Sequence, residues 1–266
     1  MVGRLGDDID LARGALYIAG EDGQDTDVEA SIRALDELAI GASEGLEPSM
    51  DMPTKLARLG MYLGLKEGYR GDTIDYYNPQ NVYLDRVLER RKGIPITLSL
   101  IYMEVALRLG IVCEAIGLPG HLVIRAGDPE MGLFMDPFHR GRLLSKDDCL
   151  ELISEMYGER VEIRNEFFQP YTKKQFLTRM LANLKNMHIR RKNYAEAIAA
   201  ADRMALIDPN LGSNLKERAW MFRETGQHRK AVDDLQAYLK LQPDLEEAEM
   251  VKWEIQLLRR ILASLN

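Results

Sequence analysis

Residues 93–110 read GIPITLSLIYMEVALRLG, and this stretch decides the fold. Apolar side chains lie nearly all round a helix drawn through 95–109, the pattern of a helix buried on every side. Pro95 suits the first turn, where its missing N–H costs nothing. Gly110 marks the stop. Downstream come VCEAIG (112–117), HLVIRA (121–126) and LFMDPF (133–138). They are short, rich in β-branched or aromatic residues, and separated by Pro119-Gly120 and by GDPEMG at 127–132. Three antiparallel strands are expected, followed by a helix over 146–157. Upstream, helical spacing of apolar residues marks 26–43, 53–67 and 78–92. Helices, one buried helix, a sheet and further helices make an α+β domain with the central helix packed on a small antiparallel sheet.

The tail has a period. Pro209 and Pro243 are 34 residues apart, as are Ala197 and Ala231, and the prolines close the similar stretches YAEAIAAADRMALIDP and HRKAVDDLQAYLKLQP. A 34-residue period with these landmarks is the TPR signature, a helical hairpin per repeat. The alanines are small where paired helices approach. The prolines stop the second helix of each hairpin. Gly226 supplies the turn in the second repeat, and Lys192 stands at the matching place in the first. Residues 244–263 read as a capping helix. Hairpins of this kind bury their apolar faces only against neighbours, so the array is expected either to bind peptides or proteins in a groove, as TPR arrays do, or only to buttress the core. The expected division is a core over 1–165 and helical repeats with their cap over 172–266.

Composition narrows the functional classes. The chain has 266 residues, 46% hydrophobic and 29% charged, with a net charge of −7. That acidic balance speaks against a nucleic-acid binder, which needs a positive footprint. Arg90-Arg91-Lys92 and Arg190-Arg191-Lys192 sit where helices should end, where cations favour the helix dipole. No apolar run is long enough for a membrane span. The first residues lack the pattern of a signal peptide, and two cysteines make no disulfide framework, so a soluble cytoplasmic protein with reduced thiols is expected.

RVLERRKGIPITLSLIYMEVALRLGI, LPGHLVIR and FMDPFHRGRLLS, with GYRGDTIDYYNPQNVYLDRVL upstream, resemble the transglutaminase-like superfamily, in its SirB-type bacterial branch with C-terminal TPRs. The resemblance implies a transglutaminase-like (papain-like) core. It also implies a cysteine, histidine and aspartate in that chain order: thiolate at the start of the central helix, base, and orienting carboxylate. His121 fits the histidine and Asp136 the aspartate. The nucleophile position, two after Gly93, holds Pro95, which has no nucleophile.

Substitute attackers are few. Thr97 and Ser99 lie on the first turns of the helix, but a mid-helix serine more often bonds back to a carbonyl. Cys113 lies on the next strand in an apolar run, where cysteine behaves as a small hydrophobe. Cys149 is in a later helix. His139 reads as a loop residue. His121, Asp136 and His139 are residue types that zinc takes, yet no ligand pair at helical spacing accompanies them, so no metal and no cofactor is expected. Asn81 and Arg142 are weaker binding candidates beside Pro95 and Thr97, with Arg86, Tyr76 and Tyr77 weaker still. Asn81 reads equally as a cap, and Arg142 as a solvent-facing residue. Two functions follow. One is a non-catalytic binding or regulatory protein whose tail takes a protein or peptide. The other is a peptidase- or amidase-like hydrolase using His121 and Asp136 with a non-standard nucleophile. Neither fixes the oligomeric state.

Overall fold

The computed structural model describes residues 9–21, 23, 25–127, 132–157, 165–241 and 246–264. The chain forms two compact units, one reaching to Met180 and the other starting at Leu181, so the division falls inside a helix.

The first unit begins with α1 (Leu11–Glu21), α2 (Val28–Ser43) and α3 (Met52–Met61). Asp27 and Asp51 cap α2 and α3, accepting from the backbone N–H of Ala30 and Thr54; such caps satisfy donors that the first turn leaves open. The helix expected over 53–67 changes winding: Tyr62–Lys66 is a π-turn. The segment 78–92 divides further, into a 3-10 turn at Pro79–Asn81, α4 (Leu84–Arg90) and β2 (Lys92–Gly93), with Arg91 in the left-handed conformation at φ 59°. β2 pairs in parallel with β1 (Arg70–Gly71).

α5 (Pro95–Arg108) is the central helix. Every side chain from Pro95 to Tyr102 is buried, and the helix packs on α2 and on the first two sheet strands. Burying one Leu or Ile contributes about 1.5–3 kcal/mol, so this run is a main source of stability. The sheet is antiparallel with order β3-β4-β5-β6: β3 (Cys113–Ile116), β4 (Val123–Ala126), β5 (Phe134–Asp136) and β6 (Arg142–Leu144). It therefore has a fourth strand beyond the three expected. His121 lies just before β4 rather than on it. Part of the loop expected at 127–132 lies outside the described residues. α6 (Lys146–Tyr157) follows, and α7 (Lys173–Arg190) leads into the second unit.

The second unit stacks α8 (Tyr194–Ile207), α9 (Gly212–Glu224), α10 (His228–Leu241) and α11 (Ala248–Ser264) as neighbouring hairpins. Ala197, Ala201 and Ala231 are fully buried in the core of this unit. Gly226 turns at φ 73° and Lys192 adopts the same left-handed conformation at φ 60°, so the departure in sequence is none in backbone. Pro243 and Leu245, read as a helix stop and the start of the cap, lie outside the described residues.

Two glycines bind α3 and its π-turn to the sheet. A Cβ on Gly60 would stand 2.5 Å from the Gly141 carbonyl oxygen, and one on Gly64 would stand 2.1 Å from that of Arg140. Both contacts fall on the turn between β5 and β6. Gly64→Ala is expected to cost about 2 kcal/mol by forcing these backbones apart; urea unfolding of the full chain measures it, and an unchanged midpoint would refute the close approach.

Candidate functional site

The end of β5 places a carboxylate in the core. Asp136 is fully buried and has four donors. The backbone N–H groups of Phe138 and His139 donate to Oδ1 at 3.0 and 3.3 Å. The ring nitrogens His121 Nε2 and His139 Nδ1 donate to Oδ2 at 2.9 and 2.6 Å. Burial alone would raise the Asp136 carboxyl, but the histidine hydrogen bonds overcome it and hold the group well below the usual carboxylate range. The hydrogen bond to Asp136 raises the His139 imidazole above its ordinary value against partial burial. His121 is buried, whereas the His139 side chain is 55% exposed. The sequence reading made His139 a loop residue and set aside a zinc set with His121 and Asp136; the structure places it in a turn and brings its ring to Asp136. The signal was present as Asp-Pro-Phe-His, an Asx-type turn in which the carboxylate caps the backbone two and three residues on.

Aromatic rings line one side. Phe138 stands edge-on to His121 at 5.9 Å and to His139 at 5.2 Å, and Tyr76 packs on Phe138 at 6.0 Å with Tyr77 beyond it. Gly71 makes room for Phe138, since a Cβ there would lie 2.4 Å from the ring. Its N–H donates to the Phe138 carbonyl. The β1–β2 pair thus ties the start of α5 to the turn that carries Phe138 and His139.

With Nε2 committed to Asp136, Nδ1 is the His121 nitrogen left to act as a base. Among the described residues no serine, threonine or cysteine side chain hydrogen-bonds to this ring. Pro95 occupies the first turn of α5. The Thr97 hydroxyl, fully buried, donates to the Val82 carbonyl at 3.2 Å. Ser99 does not bond back to a carbonyl as expected; its buried Oγ has no partner among the described residues, and neither has the Tyr102 hydroxyl. Burial pushes the Tyr102 phenol upward, with the Asp136 charge adding to it.

Cys113 is far from the cluster. It pairs with Ala126, the last residue of β4, whereas His121 precedes the first, so the length of the strand, about 10 Å, lies between them. It lines a separate groove of about 700 Å³ with Met103, Leu107, Val112 and Phe176. Burial pushes its thiol up to about 12, and Cys149 likewise.

The remaining candidates serve other ends. Asn81 is fully buried, donating to the carbonyls of Asp75 and Tyr76 and accepting from Arg90 at 3.0 Å, so it clips loop, helix and the approach to α5 together. Arg86 pairs with Asp85 and Glu89. Arg142 has a 65% exposed side chain that, among the described residues, pairs with Asp148 alone, at 4.0 Å.

A family profile described as "Transglutaminase-like superfamily" matches residues 29–182, and one described as "Tetratricopeptide repeat" matches 184–256. The chain belongs to the transglutaminase-like superfamily. It is 35% identical over 203 residues to a UPF0162 protein of Xylella fastidiosa, which covers 75% of this chain and 72% of that one. It is 24% identical over 253 residues to a UPF0162 protein of Vibrio cholerae, covering 94% and 92%. F-box only protein 21 of Mus musculus is 29% identical over 188 residues, 60% of this chain and 29% of that protein. The superfamily core with a TPR tail is thus shared along nearly the whole chain. Among the described residues no helix is long and apolar enough to cross a membrane.

Asp136→Asn removes the charge that both imidazoles answer. It is expected to destabilise the protein by about 2 kcal/mol near neutral pH. The difference from wild type should be largest between about pH 4 and 6.5, the ordinary carboxylate and imidazole values. It should shrink in acid as Asp136 takes up its proton, and shrink again in base as His139 loses its own. Denaturant unfolding from pH 3 to pH 9 checks this, and a difference independent of pH would contradict the ion cluster.

Proposed function

We propose that this protein is a non-catalytic binding protein, a transglutaminase-like core without its nucleophile joined to a TPR tail that takes a protein or peptide partner. The observation that carries the reading is Pro95. It stands two residues after Gly93, at the first turn of α5, where a helix N-terminus would favour a thiolate. The base and its carboxylate remain, but the nitrogen that would receive a proton has no hydroxyl or thiol donor among the described residues.

The tail has its own support. TPR repeats generally mediate protein–protein contacts. Met250, Trp253 and Leu257 are 61%, 63% and 41% exposed on α11, at spacings that share one helix face. A helix face that exposes a tryptophan between two other apolar side chains supports a contact surface there.

The reading has two measurable consequences. Purified full-length protein should neither hydrolyse amide or ester substrates nor transfer acyl groups to amines above the rate of buffer, and turnover abolished by His121→Ala would overturn it. Affinity capture with Trp253→Asp should lose partners that the wild type retains, with the far-ultraviolet circular dichroism unchanged. Identical captured sets would remove the tail surface from the account.

A further inference from the structure

The pairing of His121 with Asp136 follows from the superfamily pattern. His139 does not. It is a second imidazole on the same carboxylate oxygen, and the base-and-orienter arrangement has no use for it. Single donor atoms of His121, Asp136 and His139 lie within 4.8 Å of one another. We propose that His121 Nε2, Asp136 Oδ2 and His139 Nδ1 form a binding site for a divalent first-row transition-metal ion of the zinc type.

The donor set selects the class. Two imidazole nitrogens and one carboxylate oxygen suit zinc and its first-row neighbours, whereas magnesium and calcium prefer oxygen donors throughout and copper(I) prefers sulfur. Zinc bonds of about 2.0–2.2 Å in tetrahedral array put neighbouring donors about 3.3–3.5 Å apart. The rings now stand 2.9 and 2.6 Å from Oδ2, so each must withdraw by roughly half an ångström or somewhat more. His139 sits in a turn with its side chain 55% exposed and has room to do so. That exposure also gives the ion a way in from solvent.

The surroundings are those of a supported ligand set. The N–H groups of Phe138 and His139 fix Asp136 through Oδ1, leaving Oδ2 as the presenting atom. Such outer contacts orient metal ligands and are as much part of a site as the ligands. The Phe138 ring braces both imidazoles from the side. In the metal-free form each ring places an N–H on Oδ2; in the loaded form each lends that nitrogen's lone pair to the ion and carries its proton on the other nitrogen. Three protein donors leave a coordination position open for water or for a donor brought by a ligand.

The test uses the full chain and Zn²⁺ in competition with a chromophoric chelator, with Co²⁺ as a spectroscopic reporter. Wild type should take up about one equivalent and give the visible bands of a low-symmetry cobalt site with nitrogen and oxygen donors. His139→Ala and His139→Gln, both at an exposed ring, should lower the affinity tenfold or more. Zn²⁺ should raise the melting temperature of wild type and leave that of the variants unmoved. No Zn²⁺ uptake by wild type at tens of micromolar, or equal uptake by both folded variants, would overturn the proposal. The outcome is independent of whether the tail binds a partner.

Discussion

A carboxylate buried at the end of β5 is the constraint around which the core is organised. An ionised group in that position is costly unless its lone pairs are answered. Asp136 is answered by two imidazoles and two backbone N–H groups. Delivering those donors demands a tight turn after β5, and Arg140 and Gly141 make it at φ 60° and 73°. That turn fits only because Gly60 and Gly64 let α3 and its π-turn come against it. On its other flank, Phe138 fits against Gly71, which ties the turn to β1, and β1 to β2, which fixes where α5 begins. One carboxylate thereby links the sheet, the upstream helices and the central helix.

The start of α5 separates fold from chemistry. A helix N-terminus beside an imidazole–carboxylate pair is the setting that lowers a thiol's pKa and accepts its proton. We propose that Pro95, whose fixed φ suits the first helical turn, stands at the start of α5 in the place of that reacting group. The hydroxyls nearby do not compensate. Thr97 is spent on a backbone carbonyl, and Ser99 lies a turn deeper, within the most buried stretch of the helix. Cys113 is on the far side of the sheet hairpin, in an environment that disfavours its thiolate. Architecture and activity are distinct properties of a fold, and the residues of the site decide the second.

Much of this was legible before any coordinates. The all-round apolar pattern of 95–109 calls for burial on every side, and α5 realises it from Pro95 to Tyr102, whereas Leu107 in its last turn is 59% exposed. The 34-residue period required stacked hairpins, and their alanines lie fully buried in the core of the repeats. The missed elements are those whose cause is not periodic. β6 spans three residues, too few for an alternating pattern, and exists because the Asp136 turn folds Arg142–Leu144 back onto β5. The β1–β2 pair is two residues long on each side and is set by glycine clearance at Phe138. α1 was within reach: Leu11, Ala12, Ala15, Leu16 and Ala19 recur at helical spacing and are all buried. His139 was named beside His121 and Asp136 but set aside for want of a ligand pair at helical spacing, whereas the Asx turn of Asp-Pro-Phe-His is what folds its ring back. Asn81 was read both as a ligand contact and as a cap or turn residue, and its side chain holds the 75–76 loop and Arg90 to its own turn.

The transglutaminase-like core, as we propose, lacks an attacking group, and acylation measures that directly. Full-length protein incubated with an activated ester such as p-nitrophenyl acetate should show no burst of p-nitrophenol and no acetyl adduct on α5 by mass spectrometry of its peptides. A stoichiometric burst with the acetyl group mapped to Ser99 or Thr97, and lost on His121→Ala, would contradict the account.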